Sequence, residues 1–382
     1  MKVRLFKPNI GSEELEAVKG AFDRAWLGVG PKTKEFEEKW GEFVGCRESI
    51  GVNSCTAALH LALSAFKFPK GKKVLVPVLT FAATAMAPLY NDLEPVFVDV
   101  DEDTLCISLE DLERKYDKDC VAVIPVLYGG CPGKIDEVVK WAKSKNLKVI
   151  EDCAHTAGGK FKGKTIGTFG DIGCYSFEEK KCMTTGDGGM ICSDDKELIA
   201  PLRHSRWVGM NKDTWQREKE NNVSSETSQW YYEILELGYK YNMNDLMASI
   251  GLEQLKKLPN MNKRRVDIIF KYLDGIKDCK TLKVAIPYNR EVGSYWMFML
   301  RVENRDKFIN FMKSKEIATG VHYMPLSLHP FFKQFESNTP IAYSIWNEFV
   351  TVPLHSGLTD LEVDYVIDAM VEFDKFNGGI IK

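Results

Sequence analysis

Residues 147–195 read LKVIEDCAHTAGGKFKGKTIGTFGDIGCYSFEEKKCMTTGDGGMICSDD. A short apolar run, Val149-Ile150, ends in Glu151-Asp152, and His155 follows three residues later. A glycine-rich passage then leads to Ser176, Lys181 and the turn Gly186-Asp187-Gly188-Gly189. A carboxylate at a strand end, an imidazole beside it and a lysine after a second short strand suit a cofactor that needs a negative charge at one end and an amine at the other. Pyridoxal phosphate has these needs. Its pyridine nitrogen stays protonated beside a buried, ionised acid, and Asp152 is the candidate. Its aldehyde is held by a lysine that later moves protons on the substrate carbon, which requires a lowered lysine pKa. Lys181 is assigned this task, although spacing alone does not separate it from Lys180.

Upstream of this stretch, short strand patterns at 50–52, 74–78, 95–98 and 121–125 alternate with helical patterns at 57–65, 109–116 and 135–144. That alternation predicts a mostly parallel α/β sheet, whose ligands bind beyond the carboxyl ends of the strands. Residues 53–56, Thr80-Phe81 and Asp152 fall there. Ser54, Cys55 and Thr56 open a helix, where free backbone N–H groups and the positive helix end suit a phosphate. Helices are expected at 12–24, on Leu15, Val18 and Phe22, and at 33–43, on Phe36, Trp40 and Phe43. Trp26-Leu27-Gly28-Val29-Gly30-Pro31 between them is a stiff crossing able to cover a pocket.

Downstream, residues 196–204 continue as a helix and 211–229 turn polar, a surface excursion that could reach a partner subunit. The stretch 230–237 reads as a strand or an irregular approach, followed by helices at 246–255 and 262–273. Residues 295–302, 305–316 and 321–324 read as strand, helix and strand. Two domains are therefore expected, 1–250 and 251–382, the second a smaller α/β unit.

Composition narrows the function classes. The 382 residues are 45% hydrophobic and 27% charged, with 51 basic against 54 acidic side chains and a net charge of −3. Nothing in that balance favours a nucleic acid polymer or an anionic membrane. No apolar stretch reaches the roughly 20 residues of a membrane span. Ten cysteines in so long a chain do not make a disulfide framework, so the expected location is cytoplasmic. Cys131 and Cys153, or Cys174 and Cys182, lack the paired spacing of a zinc site, and no metal is expected. Nucleotide-binding signatures of the GxGxxG or GxxxxGK kind are absent.

The central stretch resembles the active-site core of the DegT/DnrJ/EryC1/StrS sugar aminotransferases, a fold-type I family of pyridoxal phosphate enzymes. The matching residues are Glu151-Asp152, His155, Ser176-Phe177, Lys181 and Thr184-Thr185-Gly186-Asp187-Gly188-Gly189. The match selects Lys181 over Lys180. It implies a large domain with a mostly parallel seven-stranded sheet between helices. It also implies Phe81 against the pyridine ring, His155 near the ring and its phenolic oxygen, and Ser54, Cys55, Thr56 and Ser176 at the phosphate. Cys55 stands where the family usually has glycine. Lys240 is implied at the phosphate of a neighbouring subunit, in a homodimer with shared sites. Leu27, Gly28, Lys181, Trp207, His322, Tyr323 and His329 are the implied sugar contacts, with Ser327 where many relatives carry histidine.

Each residue also has a plainer reading. Lys181 in a Glu-Glu-Lys-Lys run matches a solvated lysine, Asp152 a helix cap, His155 a structural histidine and Phe81 a core residue. The implied reaction is amination of a nucleotide-linked keto-sugar, such as a 4-keto-6-deoxy hexose, with glutamate as donor. The alternatives are a keto-cyclitol or 3-keto sugar aminotransferase and a noncatalytic pyridoxal phosphate-binding protein.

Overall fold

The computed structural model describes residues 1–212, 231–335 and 337–378. The chain begins with α1 (Ser12–Asp23), α2 (Pro31–Val44), β1 (Glu48–Val52) and α3 (Cys55–Ser64). It continues through β2 (Lys73–Pro77), α4 (Ala82–Tyr90), β3 (Glu94–Val98), α5 (Leu109–Lys115), β4 (Cys120–Val123) and α6 (Ile135–Ser144). Next come β5 (Lys148–Asp152), the hairpin β6 (Lys160–Phe161) and β7 (Lys164–Thr165), β8 (Ile172–Ser176) and β9 (Gly189–Ser193). Seven of these strands form one sheet in the order β1-β9-β8-β5-β4-β2-β3, in which only β9 runs against the others. This is the expected mostly parallel sheet. Its central strands are apolar on both faces, because helices cover both sides.

Beyond the sheet lie two short helices, Lys196–Ile199 and Leu202–Ser205, rather than the one expected; Pro201, lacking an N–H, stands between them. Of the polar excursion only Asn211 and Lys212 are described; the rest of it, and Trp230, lie outside the described residues. Residues 231–237 are irregular, joined to the fold by a bridge from Ile234 to Met210. The helix Asp245–Gly275 then runs unbroken for 31 residues, with Pro259 inside it, so the two expected helices are one. Residues 250 and 251, where a domain boundary was expected, both sit within it. Asn244 caps it through its side chain, which accepts from the Met247 N–H.

The second sheet is small and antiparallel: β10 (Leu282–Val284), β11 (Phe298–Val302) and β12 (Phe349–Val352). Residues 321–324 are not its strand. They stay partly exposed, without the alternation of a half-buried strand, and supply residues to a cavity instead. Phe349–Val352 is fully buried and takes the place.

α1 also departs from its pattern. Leu15 and Phe22 face solvent, while Glu14 and Ala21 are buried against the long helix. Glu14 goes inward because its carboxylate accepts from Gly11 N, Gln254 Nε2 and Lys257 Nζ, a satisfied set that offsets its burial. α2 behaves as read in part. Phe36 and Trp40 pack on Phe177, with Trp40 edge-on to Tyr175, and so hold β8 from below.

Candidate active site

Asp152 ends β5 in the middle of the large sheet, and its carboxylate is buried. Oδ2 accepts from Thr84 Oγ1 at 2.8 Å and Oδ1 from the Ala154 N–H at 3.1 Å. The Thr84 hydroxyl proton is thereby used, so Thr80, 2.8 Å away, donates to Thr84. Burial pushes the Asp152 pKa up, opposed by the Thr84 bond and less strongly by Lys181. Among the described residues no cation lies within ion-pair distance of it. A cationic N–H placed at this carboxylate would complete it, which is what a pyridinium offers.

Lys181 lies on the loop between β8 and β9. That loop is held at its base by Phe177 N to Gly188 O and Thr185 N to Phe177 O, both 2.9 Å. Arg265 of the long helix donates to Cys182 O at 2.6 Å, fixing the residue next to the lysine. Burial brings the Lys181 pKa down to about 8, with Asp152 pulling it partly back. Its Nζ rests 3.6 Å from the centroid of the Trp296 ring. Lys180, by contrast, is exposed, and its carbonyl accepts from Trp296 Nε1 at 2.6 Å.

His155 stacks on the same indole, centroids 4.3 Å apart and planes 21° from parallel. Gly129 N–H donates to its Nδ1 at 3.2 Å, so the proton of the neutral ring sits on Nε2. Burial, and then the Lys181 charge, hold its pKa well below the usual range, which keeps the ring neutral. Gly129 and Gly130 both have positive φ. A Cβ on Gly130 would stand 2.6 Å from Ser294 O, so glycine lets the segment before β11 close onto this turn.

The opposite end of the site is the start of α3. Ser54 caps the helix by accepting from Ala57 N, and the first N–H groups, on Cys55 and Thr56, have no carbonyl within the helix to bond. Ser176 is beside them, with Oγ 3.4 Å from the Glu178 N–H. β9 comes close because Gly189 lacks a side chain: a Cβ there would lie 2.6 Å from Ser54 C and 2.7 Å from Cys55 N. Gly189→Ala therefore displaces the helix start, and pyridoxal phosphate is expected to bind at least about tenfold more weakly. Cofactor titration of the apo-protein measures this; unchanged affinity removes the phosphate role from that turn.

These parts enclose a cavity of about 440 Å³. Lys181, Asp152, His155, Ser54, Cys55, Thr56, Phe81, Ser176, His322 and Tyr323 all line it. Phe81 is 57% exposed rather than core, its ring 5.9 Å from that of Tyr323. His322 Nδ1 lies 3.0 Å from Thr351 Oγ1, and burial lowers its pKa to about 4. Leu27, Gly28, Trp207, Lys240 and His329 do not line it. Trp207 and Lys240 sit together elsewhere, Lys240 Nζ 3.1 Å from the Trp207 ring centroid. Trp207 faces a separate cavity of about 720 Å³ beside α2.

The sequence reading passed over Trp296 and gave no role to Thr84. Thr80 and Thr84, four apart where α4 begins, were a weak signal for a shared face. Trp296 gave none, because what brings it here is the pairing of its N–H with Gly129 O at 3.0 Å, across more than 160 residues.

Residues 8–371 match the model of the DegT/DnrJ/EryC1/StrS aminotransferase family. The chain belongs to that family. It is a pyridoxal phosphate-dependent aminotransferase of fold type I. It is 39% identical to MJ1066 of Methanocaldococcus jannaschii and 36% identical to the spore coat polysaccharide biosynthesis protein SpsC of Bacillus subtilis, over 96% of each chain in both cases. Spr1654 of Streptococcus pneumoniae, solved in a PMP form, superposes with a TM-score of 0.89 at 29% identity, over 98% of this chain and 99% of that one. In this aminotransferase the cavity has the charges the cofactor needs: an acid at one end, free N–H groups at the other and an amine between.

Proposed function

We propose that this aminotransferase transfers an amine from glutamate to a keto-sugar carried on a nucleoside diphosphate, for which a 4-keto-6-deoxy hexose is the favoured acceptor. The observation that carries the reading is the placement of Lys181, with its lowered pKa, in one cavity with Asp152 and His155, in a chain 36% identical to a polysaccharide biosynthesis protein. Pyridoxal phosphate supplies an electron sink for a carbanion on the substrate. Lys181 would hold the aldehyde and, once released, would act as the base that takes the proton from the donor carbon and as the acid that gives it up again within the same half-reaction, the two roles running in reverse on the sugar. Asp152 would keep a negative charge at the ring nitrogen, and the free Nε2–H of His155 would be available to the phenolic oxygen. Ser54, Cys55, Thr56 and Ser176 would anchor the phosphate. His322 and Tyr323, with the open face of Phe81, meet the sugar. The ten free thiols suit a reducing cytoplasm.

Purified protein offered glutamate with a panel of nucleotide-linked keto-sugars and free keto-cyclitols tests this. Amine on a nucleotide sugar supports the reading; amine on a keto-cyclitol alone replaces it.

The site is proposed to be shared in a homodimer, with Lys240 reaching the partner's phosphate. In support, Lys240 is exposed and lines no part of its own cavity, and Ile234, Leu235 and Leu237 are exposed apolar residues nearby in sequence. Mixing inactive Lys181→Ala and Lys240→Ala chains is then expected to restore activity, since one site per mixed dimer is intact. Absence of any recovery in verified mixed dimers counts against sharing.

A further inference from the structure

Trp296 is the residue around which Lys181, His155 and His322 are arranged, the His322 ring lying edge-on at 5.3 Å. One stack runs Phe6, Trp296, His155: Phe6 lies 5.0 Å from the indole with planes 5° apart, and His155 lies 4.3 Å from it. Lys181 Nζ is 3.6 Å from the ring centroid, and the indole N–H is bonded to the carbonyl of the preceding residue, Lys180. The indole itself is buried and cannot turn without breaking that bond, and the Trp296 backbone from which it projects is fixed by its N–H on Gly129 O. An aromatic face at that distance attracts an ammonium, and does so more strongly where water is excluded.

We propose that Trp296 is a positioning residue whose indole face receives the Lys181 ammonium whenever that amine is not bonded to cofactor, holding it beside the ring for its next proton transfer. The inference rests on Lys181 being the anchoring lysine. A side chain with four rotatable bonds would otherwise swing toward Asp152 or out to solvent after release. The other groups acting on this amine are Asp152, Glu178, Cys55 and Cys182. His155 and His322 feel its charge in turn, and burial keeps both neutral near pH 7.

The test uses the apo-protein and reads covalent capture of pyridoxal phosphate by absorbance at a series of pH values. In capture the unprotonated amine's lone pair forms a bond to the aldehyde carbon and water leaves, so the rate rises with pH and levels off above the amine's pKa. In the wild type the midpoint is expected near 8. Removing the aromatic face destabilises the ammonium, so Trp296→Leu moves the midpoint down by about one pH unit. Trp296→Phe restores most of the shift. Fluorotryptophan incorporated at all eight tryptophans weakens the ring face without loss of side-chain bulk, and is expected to lower the midpoint with increasing fluorination. A midpoint that stays at its wild-type value in the fluorinated protein overturns the role of Trp296. Capture that survives Lys181→Ala overturns the Lys181 assignment, and this inference with it.

Discussion

Lys181→Ala is expected to slow transamination at least about 10⁴-fold, through loss of both the amine that holds the aldehyde and the base that moves the proton. The neighbouring lysine cannot take over. Lys180 is exposed, and its backbone is tied to Trp296, so its amine starts from the rim of the cavity. Lys180→Ala should accordingly leave turnover within about a fewfold of wild type. The phosphate end is untouched by either change, because the start of α3 and Ser176 are built from other segments. The Lys181→Ala protein should therefore still bind cofactor, without the visible absorption band of the lysine-bound form. Single-turnover mixing with glutamate reads both quantities. Turnover near the wild-type rate in Lys181→Ala would transfer the assignment to another residue.

Asp152→Asn is the second large effect, and its two consequences point in opposite directions. Asn keeps the shape, and its one amide oxygen can accept from the Ala154 N–H while its NH2 donates to Thr84 Oγ1, whose own proton then turns to Thr80. It carries no charge, however, to hold a proton on the ring nitrogen. The expected loss is about 10²–10³-fold in the rate of the donor half-reaction. The apo-protein should become more stable. Burial raises the folded-state pKa of Asp152 above its unfolded value, so its contribution is fully present below the unfolded pKa and falls away as pH rises through the folded one. Once ionised, the wild-type carboxylate is a buried charge with no ion-pair partner among the described residues, and Asn removes that cost. Thermal melts of the two apo-proteins should thus separate at neutral pH and converge in acid. Equal melting temperatures at pH 7 would mean that the buried carboxylate is better compensated than Thr84 and Ala154 allow. Saturating cofactor should narrow the difference, since ligand binding favours the charged form.

Much of the site was legible before the fold was known because it is local. Asp152 and His155 are three residues apart, Lys181 sits five beyond Ser176, and the α3 start is a contiguous Ser54-Cys55-Thr56. Such spacings survive in any structure that places strand ends on one edge. Exposure was less legible. Hydropathy alone makes Phe81 core, whereas the resemblance set it at the cofactor, and it does line the cavity; Leu15 and Phe22 read as a buried face while a carboxylate took the inner position. Those outcomes depend on what each side chain meets: Glu14 meets Gln254 and Lys257, which no pattern within 12–24 records.

The sequence alone determined the alternation that makes a mostly parallel sheet, the acid, imidazole and lysine at its edge, and the family to which they belong. These follow from hydrophobic period and from short-range chemistry, which act over a few residues. The tertiary structure decided which residues share the cavity. It brought in Trp296 through a backbone pairing with Gly129, aligned Thr84 under Asp152, made Phe349–Val352 the third small-sheet strand, and left Trp207, Lys240 and His329 outside. The reason is that such contacts form between segments far apart in the chain, where neighbouring residues carry no record of the partner and packing across the whole fold selects it.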